Sequence, residues 1–146
     1  MTCKRKLAVG YQLPDLDRFA DIVAAFRAEI DEVYFPWLGV PGGRGLSIAT
    51  AAEQEEMETE LAAIRGHGVR FNLLWNATCH GGRAVSMELE TQLLDAVRQL
   101  RERYGLEAVT TTSLFVAAVL QEHVPELEVR ASVNMGIGSV SGMRYV

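Results

Sequence analysis

Hydrophobic positions along the chain follow two alternating patterns. Short runs rich in β-branched and aromatic residues predict strands, and longer stretches with apolar residues at every third or fourth position predict amphipathic helices. Five strands are predicted, at residues 6–11, 32–37, 69–76, 107–112 and 128–135. Four helices separate them, and a further helical segment begins after the fifth strand.

The four predicted helices carry apolar stripes and end signals. The stripe of the first is Leu16, Phe19, Ile22, Val23, Phe26 and Ile30. The second helix begins at a capping box, Thr50 with Glu53, and ends near Gly66. The stripe of the third is Leu89, Leu93, Val97, Leu100 and Tyr104, with Gly105 as its stop signal. The fourth begins at Ser113.

Strict alternation of strands and helices predicts a parallel sheet with right-handed crossovers, as an open doubly wound sheet or as a (β/α) barrel. The strand faces decide between the two. One face of the fifth strand carries Arg130, Ser132 and Asn134, and its other face Val129, Ala131, Val133 and Met135. One face of the third strand carries Asn72, Leu74 and Asn76, opposite Phe71, Leu73 and Trp75. Doubly wound strands are apolar on both faces, so these favour a barrel with a polar lumen.

The chain is too short for a whole barrel. It has 146 residues, whereas a complete barrel takes about 250. We therefore expect one partial TIM-type barrel domain over residues 1–146, with about five parallel strands and four helices, forming the amino-terminal half of a longer parent domain.

Composition and charge narrow the classes of partner. The chain is 49% hydrophobic and 23% charged, with a formal charge of −5, as in soluble globular proteins. Without a basic stripe, binding to duplex nucleic acid or to an acidic membrane surface is not expected. No apolar run reaches the roughly 18–20 residues of a bilayer span or resembles a secretory signal, so we expect a cytoplasmic protein. Cys3 and Cys79 lie far apart, which argues against a disulfide framework or a cysteine metal site.

Parallel (β/α) folds bind ligands beyond the carboxyl ends of their strands. The residues predicted there are rich in amides and hydroxyls; the candidates are Gln12, Asn76, Thr112 and Asn134. Such groups suit hydrogen bonding to a substrate. The lack of two close carboxylates argues against a glycosidase-type acid pair in this part of the barrel.

The segment 76–83 (NATCHGGR) carries the most chemistry. Cys79 beside His80 suggests a nucleophile with its base, because imidazole can draw a thiol toward the thiolate. The alternative is a buried small thiol next to a polar loop histidine, since adjacent side chains seldom point at each other.

Two loops share a glycine-arginine pattern, residues 42–47 (GGRGLS) and 81–86 (GGRAVS). Glycine lets backbone amides approach an anion and arginine offers a planar fork, so Arg44 and Arg83 are candidate anion-binding residues. The alternative is that these glycines are ordinary loop residues.

Four segments in order resemble one known family: residues 8–14 (AVGYQLP), 32–36 (EVYFP), 76–82 (NATCHGG) and 130–138 (RASVNMGIG). The chain resembles the amino-terminal part of the barrel domain of the collagenase-like peptidases, the thirty-second family of peptidases of unassigned catalytic type. The resemblance implies a barrel. It also implies either a peptidase or an enzyme of hydroxylation or RNA modification that holds an iron–sulfur cluster through later cysteines. Cys79 alone supports no cofactor within this chain. Asn76, His80 and Asn134 fall in the matching segments and are expected to line the pocket.

The leading hypothesis is therefore part of a peptidase-like barrel enzyme that acts on a peptide or a modified small or nucleic substrate. Asn76 and Asn134 would orient substrate, His80 would act as acid or base, and Arg44 and Arg83 would hold an anionic group. Two alternatives remain. One is a non-catalytic half-barrel that forms a homodimer through its open edge strands; the other is a small-anion binding module.

Overall fold

The computed structural model describes residues 6–13, 16–40 and 50–145. Its strands are β1 Leu7–Gly10, β2 Ile30–Phe35, β3 Arg70–Trp75, β4 Ala108–Thr111 and β5 Glu128–Ala131. Its helices are α1 Phe19–Ala25, α2 Ala51–Arg65, α3 Met87–Tyr104, α4 Leu114–His123 and α5 Val140–Tyr145. Short 3-10 turns occur at Gly81–Arg83 and Val133–Met135.

The five strands form one parallel sheet in the order β1-β2-β3-β4-β5. Each new strand is therefore added on the same side, whereas a doubly wound sheet reverses direction at its switch point. The predicted (β/α) fold with five parallel strands is confirmed. Its sequential order is that of one arc of a barrel.

The apolar core lies between the sheet and the helices. Fully buried residues of the strands face buried residues of α2, α3 and α4; they include Val33, Phe35, Phe71, Leu73, Trp75, Met57, Leu61, Leu93, Val97 and Leu120. Successive helices pack against each other, α1 on α2, α2 on α3 and α3 on α4. The stripe predicted for the third helix is buried as expected. These helices cover one face of the sheet, and the opposite face carries the polar residues of the strands.

Local capping fixes where the helices begin and end. The predicted box at Thr50 is present, with Glu53 N–H donating to Thr50 Oγ1 at 3.2 Å and Thr50 N–H donating to Glu53 Oε2 at 3.0 Å. Ser86 and Ser113 cap α3 and α4 through their hydroxyls alone, which accept the N–H of Leu89 at 3.1 Å and of Val116 at 3.3 Å. Gly105 ends α3 with φ of 76°, a conformation that glycine adopts without strain.

The fifth strand is shorter than predicted. It ends at Ala131 rather than at residue 135, and a 3-10 turn follows. Ser132 Oγ accepts the N–H of Asn134 at 3.3 Å, which gives the backbone a local alternative to strand pairing. Val133, expected on the apolar outer face, is 82% exposed as a result.

The first helix also departs from its prediction. It spans seven residues, and three members of its expected stripe are exposed: Leu16 at 93%, Phe26 at 57% and Ile22 at 42%. The reason is its position beside β1, which pairs with β2 alone in the part of the chain that the structure describes. Within the described ranges, α2 is the only helix that packs on α1 to any extent, so one side of its stripe stays uncovered.

Candidate functional site

A hollow of about 240 Å³ opens on the polar face at the carboxyl ends of β3, β4 and β5. We call it the lumen pocket; its wall consists of Tyr34, Asn72, Leu74, Asn76, Thr110 and residues 130–134. The chain contains only three asparagines, and all three lie in this wall. Asn72 and Asn76 share a face because every second residue of a strand points to the same side. The 3-10 turn after β5 brings Asn134 to the same wall. The polar lumen that the strand faces predicted therefore contains a single convergent site.

A buried ion pair, which we call the floor, lies beneath the pocket wall; its Arg130 lines the pocket and its Glu32 lies behind that wall. Glu32 on β2 is 3% exposed. Arg130 on β5 donates from Nη1 to both of its carboxylate oxygens, at 2.7 and 2.6 Å. Arg70 on β3 adds a weaker contact at 3.4 Å. The charge of Glu32 is therefore compensated inside the lumen.

Glu128, the first residue of β5, extends this network toward the amino ends of the strands. Its carboxylate accepts from Arg130 Nε at 2.7 Å, from Arg130 Nη2 at 2.8 Å and from Arg70 Nη1 at 3.1 Å. The hydrogen bond from Arg130 lowers the pKa of Glu128, and pairing with Glu128 and Glu32 raises the pKa of Arg130. Two guanidinium groups thus face two carboxylates, and Asp31 lies 3.6 Å from Arg70 at the edge. The floor has no surplus of positive charge.

A chain of side-chain hydrogen bonds leads from this floor into the pocket wall. Asn72 Nδ2 donates to Glu32 Oε1 at 3.0 Å. Thr110 Oγ1 on β4 donates to Asn72 Oδ1 at 3.0 Å. The orientation of the Asn72 amide is therefore set from both ends.

The wall on the β1 side depends on a glycine. The ring of Tyr34 lies over Gly10, and a Cβ at Gly10 would come within 2.8 Å of Tyr34 Cε2. Any larger residue would push the ring away from its present place in the pocket wall.

The predicted site residues separate into two groups. Asn76, which is buried, and Asn134, which is exposed, come together in the lumen pocket. Thr112 does not line it; its hydroxyl donates to the carbonyl of Ala77 and ties the end of β4 to the loop after β3. Gln12 is exposed and borders a separate, largely apolar groove between β1 and α1.

Of the two arginines of the anion hypothesis, the structure describes Arg83, which does not line the lumen pocket. Arg83 pairs with Glu88 at 3.0 Å on the protein surface, so its charge already has a partner. Arg44 lies outside the described residues. An anion site at these loops stays a prediction.

Cys79 and His80 are not hydrogen-bonded to each other. Cys79 is exposed, so its interpretation as a buried thiol was wrong, and its Sγ accepts the N–H of Gly81 at 3.3 Å. Both ring nitrogens of His80 are buried and have no hydrogen-bond partner among the described residues. Burial lowers the pKa of His80, which favours the neutral ring.

Glu32, Arg70, Thr110 and Glu128 were not among the site residues predicted from the sequence. Their signal was present in the alternation of the strands. Glu32 alternates with the apolar Val33 just as Asn72 alternates with Leu73. Inspection of the inner face of the second to fifth strands over their whole length would have found them.

Among the described residues, no helix is long and apolar enough to cross a membrane. In the same part of the chain, no three His, Cys, Asp or Glu side chains are placed to hold a metal ion. Comparison with known proteins found no matching family model, no similar curated protein and no similar solved structure.

Proposed function

We propose that the chain is the amino-terminal, substrate-binding part of a (β/α)-barrel enzyme of the collagenase-like peptidase kind, with substrate held in the lumen pocket. One observation carries the proposal: all three asparagines of the chain converge on one hollow. That hollow lies at the carboxyl ends of parallel strands, where such folds bind ligands. The resemblance of the four sequence segments supports a peptide as the substrate.

Asn76 and Asn134 orient the substrate in this proposal. A carboxamide side chain both donates and accepts hydrogen bonds, so it can pair with either half of a peptide group. His80 is the proton acceptor, because burial keeps its ring neutral near pH 7. It lies in the loop that follows β3 and outside the pocket wall, so the proposal requires this loop to close on bound substrate.

Selective labelling of asparagine side chains tests the proposal directly. The labelled chain carries three side-chain amide groups, each of which gives a pair of N–H signals in NMR spectra, and all three groups belong to the pocket. A hexapeptide of repeated Gly-Pro-Ala with blocked ends should shift them in a saturable way. Asn134→Ala with Asn76→Ala should weaken binding at least about tenfold, as expected when hydrogen bonds to a buried group are lost. Gln99→Ala on the outer, exposed surface is the matched control and should bind normally.

The proposal fails if saturating hexapeptide leaves the three asparagine signals in place. It fails equally if the double asparagine variant and the Gln99 variant bind the peptide with the same affinity.

A second candidate function is self-association as a half-barrel. Exposed large apolar residues gather at the two sheet edges: Leu7, Leu16 and Phe26 beside β1, and Val140 and Met143 in α5 after β5. Edge strands with apolar surroundings favour pairing with another chain, here a second copy. Sedimentation equilibrium should then show a dimer that Leu16→Lys with Phe26→Lys converts to a monomer. A monomer at every concentration excludes this candidate.

A further inference from the structure

The direction of the hydrogen bonds in the pocket floor determines what Thr110 can offer a ligand. The Glu32 carboxylate, held by Arg130 and Arg70, only accepts hydrogen bonds, so Asn72 must turn its Nδ2 toward it. Asn72 Oδ1 then faces Thr110 and accepts the only proton of that hydroxyl. Thr110 Oγ1 therefore presents lone pairs to the pocket and acts as an acceptor.

Ser132 has the opposite character. Its Oγ, in a residue 6% exposed, accepts the N–H of Asn134 at 3.3 Å. Within the described ranges, its own proton is given to no other acceptor, so the hydroxyl can donate to a ligand. These two hydroxyls thus give the pocket wall a fixed acceptor and an available donor, beside the carboxamides of Asn76 and Asn134.

The charge of the floor disfavours an anionic ligand. Among the described residues, Arg130 is the only charged one in the pocket wall, and each of its three guanidinium nitrogens already donates to Glu32 or Glu128. A carboxylate entering the pocket would meet the Thr110 lone pairs, with the carboxylates of Glu32 and Glu128 behind them and with Arg130 already paired to both. An uncharged group avoids that repulsion.

We infer that the lumen pocket recognises an uncharged carboxamide group and discriminates against the matching carboxylate. The ligand N–H donates to Thr110 Oγ1 and its carbonyl oxygen accepts from Ser132 Oγ. The volume of about 240 Å³ is below the ~300–1,000 Å³ of sites for drug-sized ligands, as suits one small group. Thr110 and Ser132 are then the specificity-determining pair, an assignment that rests on the proposed function.

Propionamide and propionate test the assignment, because they share a shape and differ only in NH₂ against O⁻. Titrations followed by the asparagine side-chain signals should give propionamide an affinity at least about tenfold higher at pH 7. One unpaired polar group in a buried contact produces an effect of about that size.

Three variants separate recognition from mere structural damage. Thr110→Val keeps the shape but removes the acceptor and should abolish the amide preference. Thr110→Ser keeps a hydroxyl and should therefore keep the amide preference. Thr59→Val, at an exposed threonine on α2, is the matched control and should bind as the original chain does.

Glu32→Gln tests the chain of hydrogen bonds that leads from Glu32 through Asn72 to Thr110. A glutamine can donate to Asn72, so the Asn72 amide is free to turn over and the Thr110 proton is free to point at the ligand. The loss of a carboxylate also leaves Arg130 less compensated. Both effects should lower the ratio of propionamide to propionate affinity.

Equal or tighter binding of propionate overturns the inference, as does an unchanged ratio in Thr110→Val. A response to the hexapeptide without any response to propionamide overturns the carboxamide assignment and leaves the proposed function intact. If no probe shifts the signals of any of the three asparagines, both the carboxamide assignment and the proposed function are rejected.

Discussion

Arg130 donates to both carboxylate oxygens of Glu32, at 2.7 and 2.6 Å, although β3 and β4 lie between their strands. Strands three places apart in a flat sheet are separated by about 14 Å. The contact therefore requires the two side chains to lean toward each other across the sheet. They do so on the polar face of the sheet, as expected for the inner face of a barrel arc.

Replacing Arg130 by Met should lower the free energy of unfolding by about 3 kcal/mol, because it leaves a buried carboxylate without its main partner. Glu32 has a side chain 5% exposed and would keep only Asn72 and the longer contact to Arg70. Urea denaturation followed by circular dichroism measures the change.

Arg98→Met is the matched control for that experiment. Arg98 pairs with Asp95 on the surface, where both side chains are 65% exposed, so its loss should change stability by no more than about 0.5 kcal/mol. Glu32→Leu combined with Arg130→Met should recover most of the loss, since no unpaired charge remains. Equal losses in the Arg130 and Arg98 variants would contradict the buried-pair interpretation.

The polar lumen could be predicted because it follows from a local rule. Alternation along a strand puts Asn72 and Asn76 on one face whatever the rest of the chain does. The partner of Glu32 could not be predicted in the same way. Arg130 lies 98 positions away in sequence, and their contact depends on the order and curvature of the whole sheet. Strand faces are local properties, whereas pairs across a lumen are not.

The first helix shows the same limit. Arg18, the residue just before α1, makes no capping hydrogen bond with its side chain. The predicted apolar stripe also extends past Ala25, where α1 ends. The cap comes instead from α2, where Glu60 Oε2 accepts the N–H of Ala20 at 2.6 Å. A cap supplied 40 residues later leaves no signature near the helix that it stabilises.

Glu60→Ala should destabilise the protein by about 1–2 kcal/mol, because a buried helix amide loses its acceptor and Arg18 loses its partner at 3.0 Å. Glu60 is 3% exposed, so water cannot easily replace the carboxylate. Amide hydrogen exchange should become faster in α1 before it does so in α3. Glu56→Ala, at an exposed neighbour on α2, should leave both measurements unchanged. Unaltered exchange at Ala20 in the Glu60 variant would refute this capping role.

The protein should lose stability as pH rises from about 10 to 12. Burial, assisted by the hydrogen bond to Glu58 Oε2 at 2.8 Å, raises the pKa of Tyr104 from 10.0 to about 12. Burial also raises the pKa of Tyr11 to about 12. In that window the unfolded chain ionises both phenols while the folded chain keeps them neutral, so unfolding becomes more favourable.

Urea denaturation at pH 8, 10 and 11 measures this loss, and ultraviolet absorbance of phenolate reports the ionisation. Tyr104→Phe removes one of the two late-ionising phenols and should make the decline shallower. An identical decline in this variant would mean that Tyr104 does not contribute to it.

His80 should make the protein less stable as pH falls below about 6.5. Burial lowers the pKa of His80 below its ordinary value of 6.5, and neither ring nitrogen has a hydrogen-bond partner among the described residues. The unfolded chain therefore takes up this proton first, and stability present above pH 6.5 is lost as the pH falls. His80→Leu should flatten the dependence between pH 5 and 7, whereas His67→Leu, at the end of α2, should retain it. A pKa at or above 6.5 for the imidazole NMR signal of His80 would contradict the burial of its ring. It would also contradict the role of His80 as a neutral base in the proposed function.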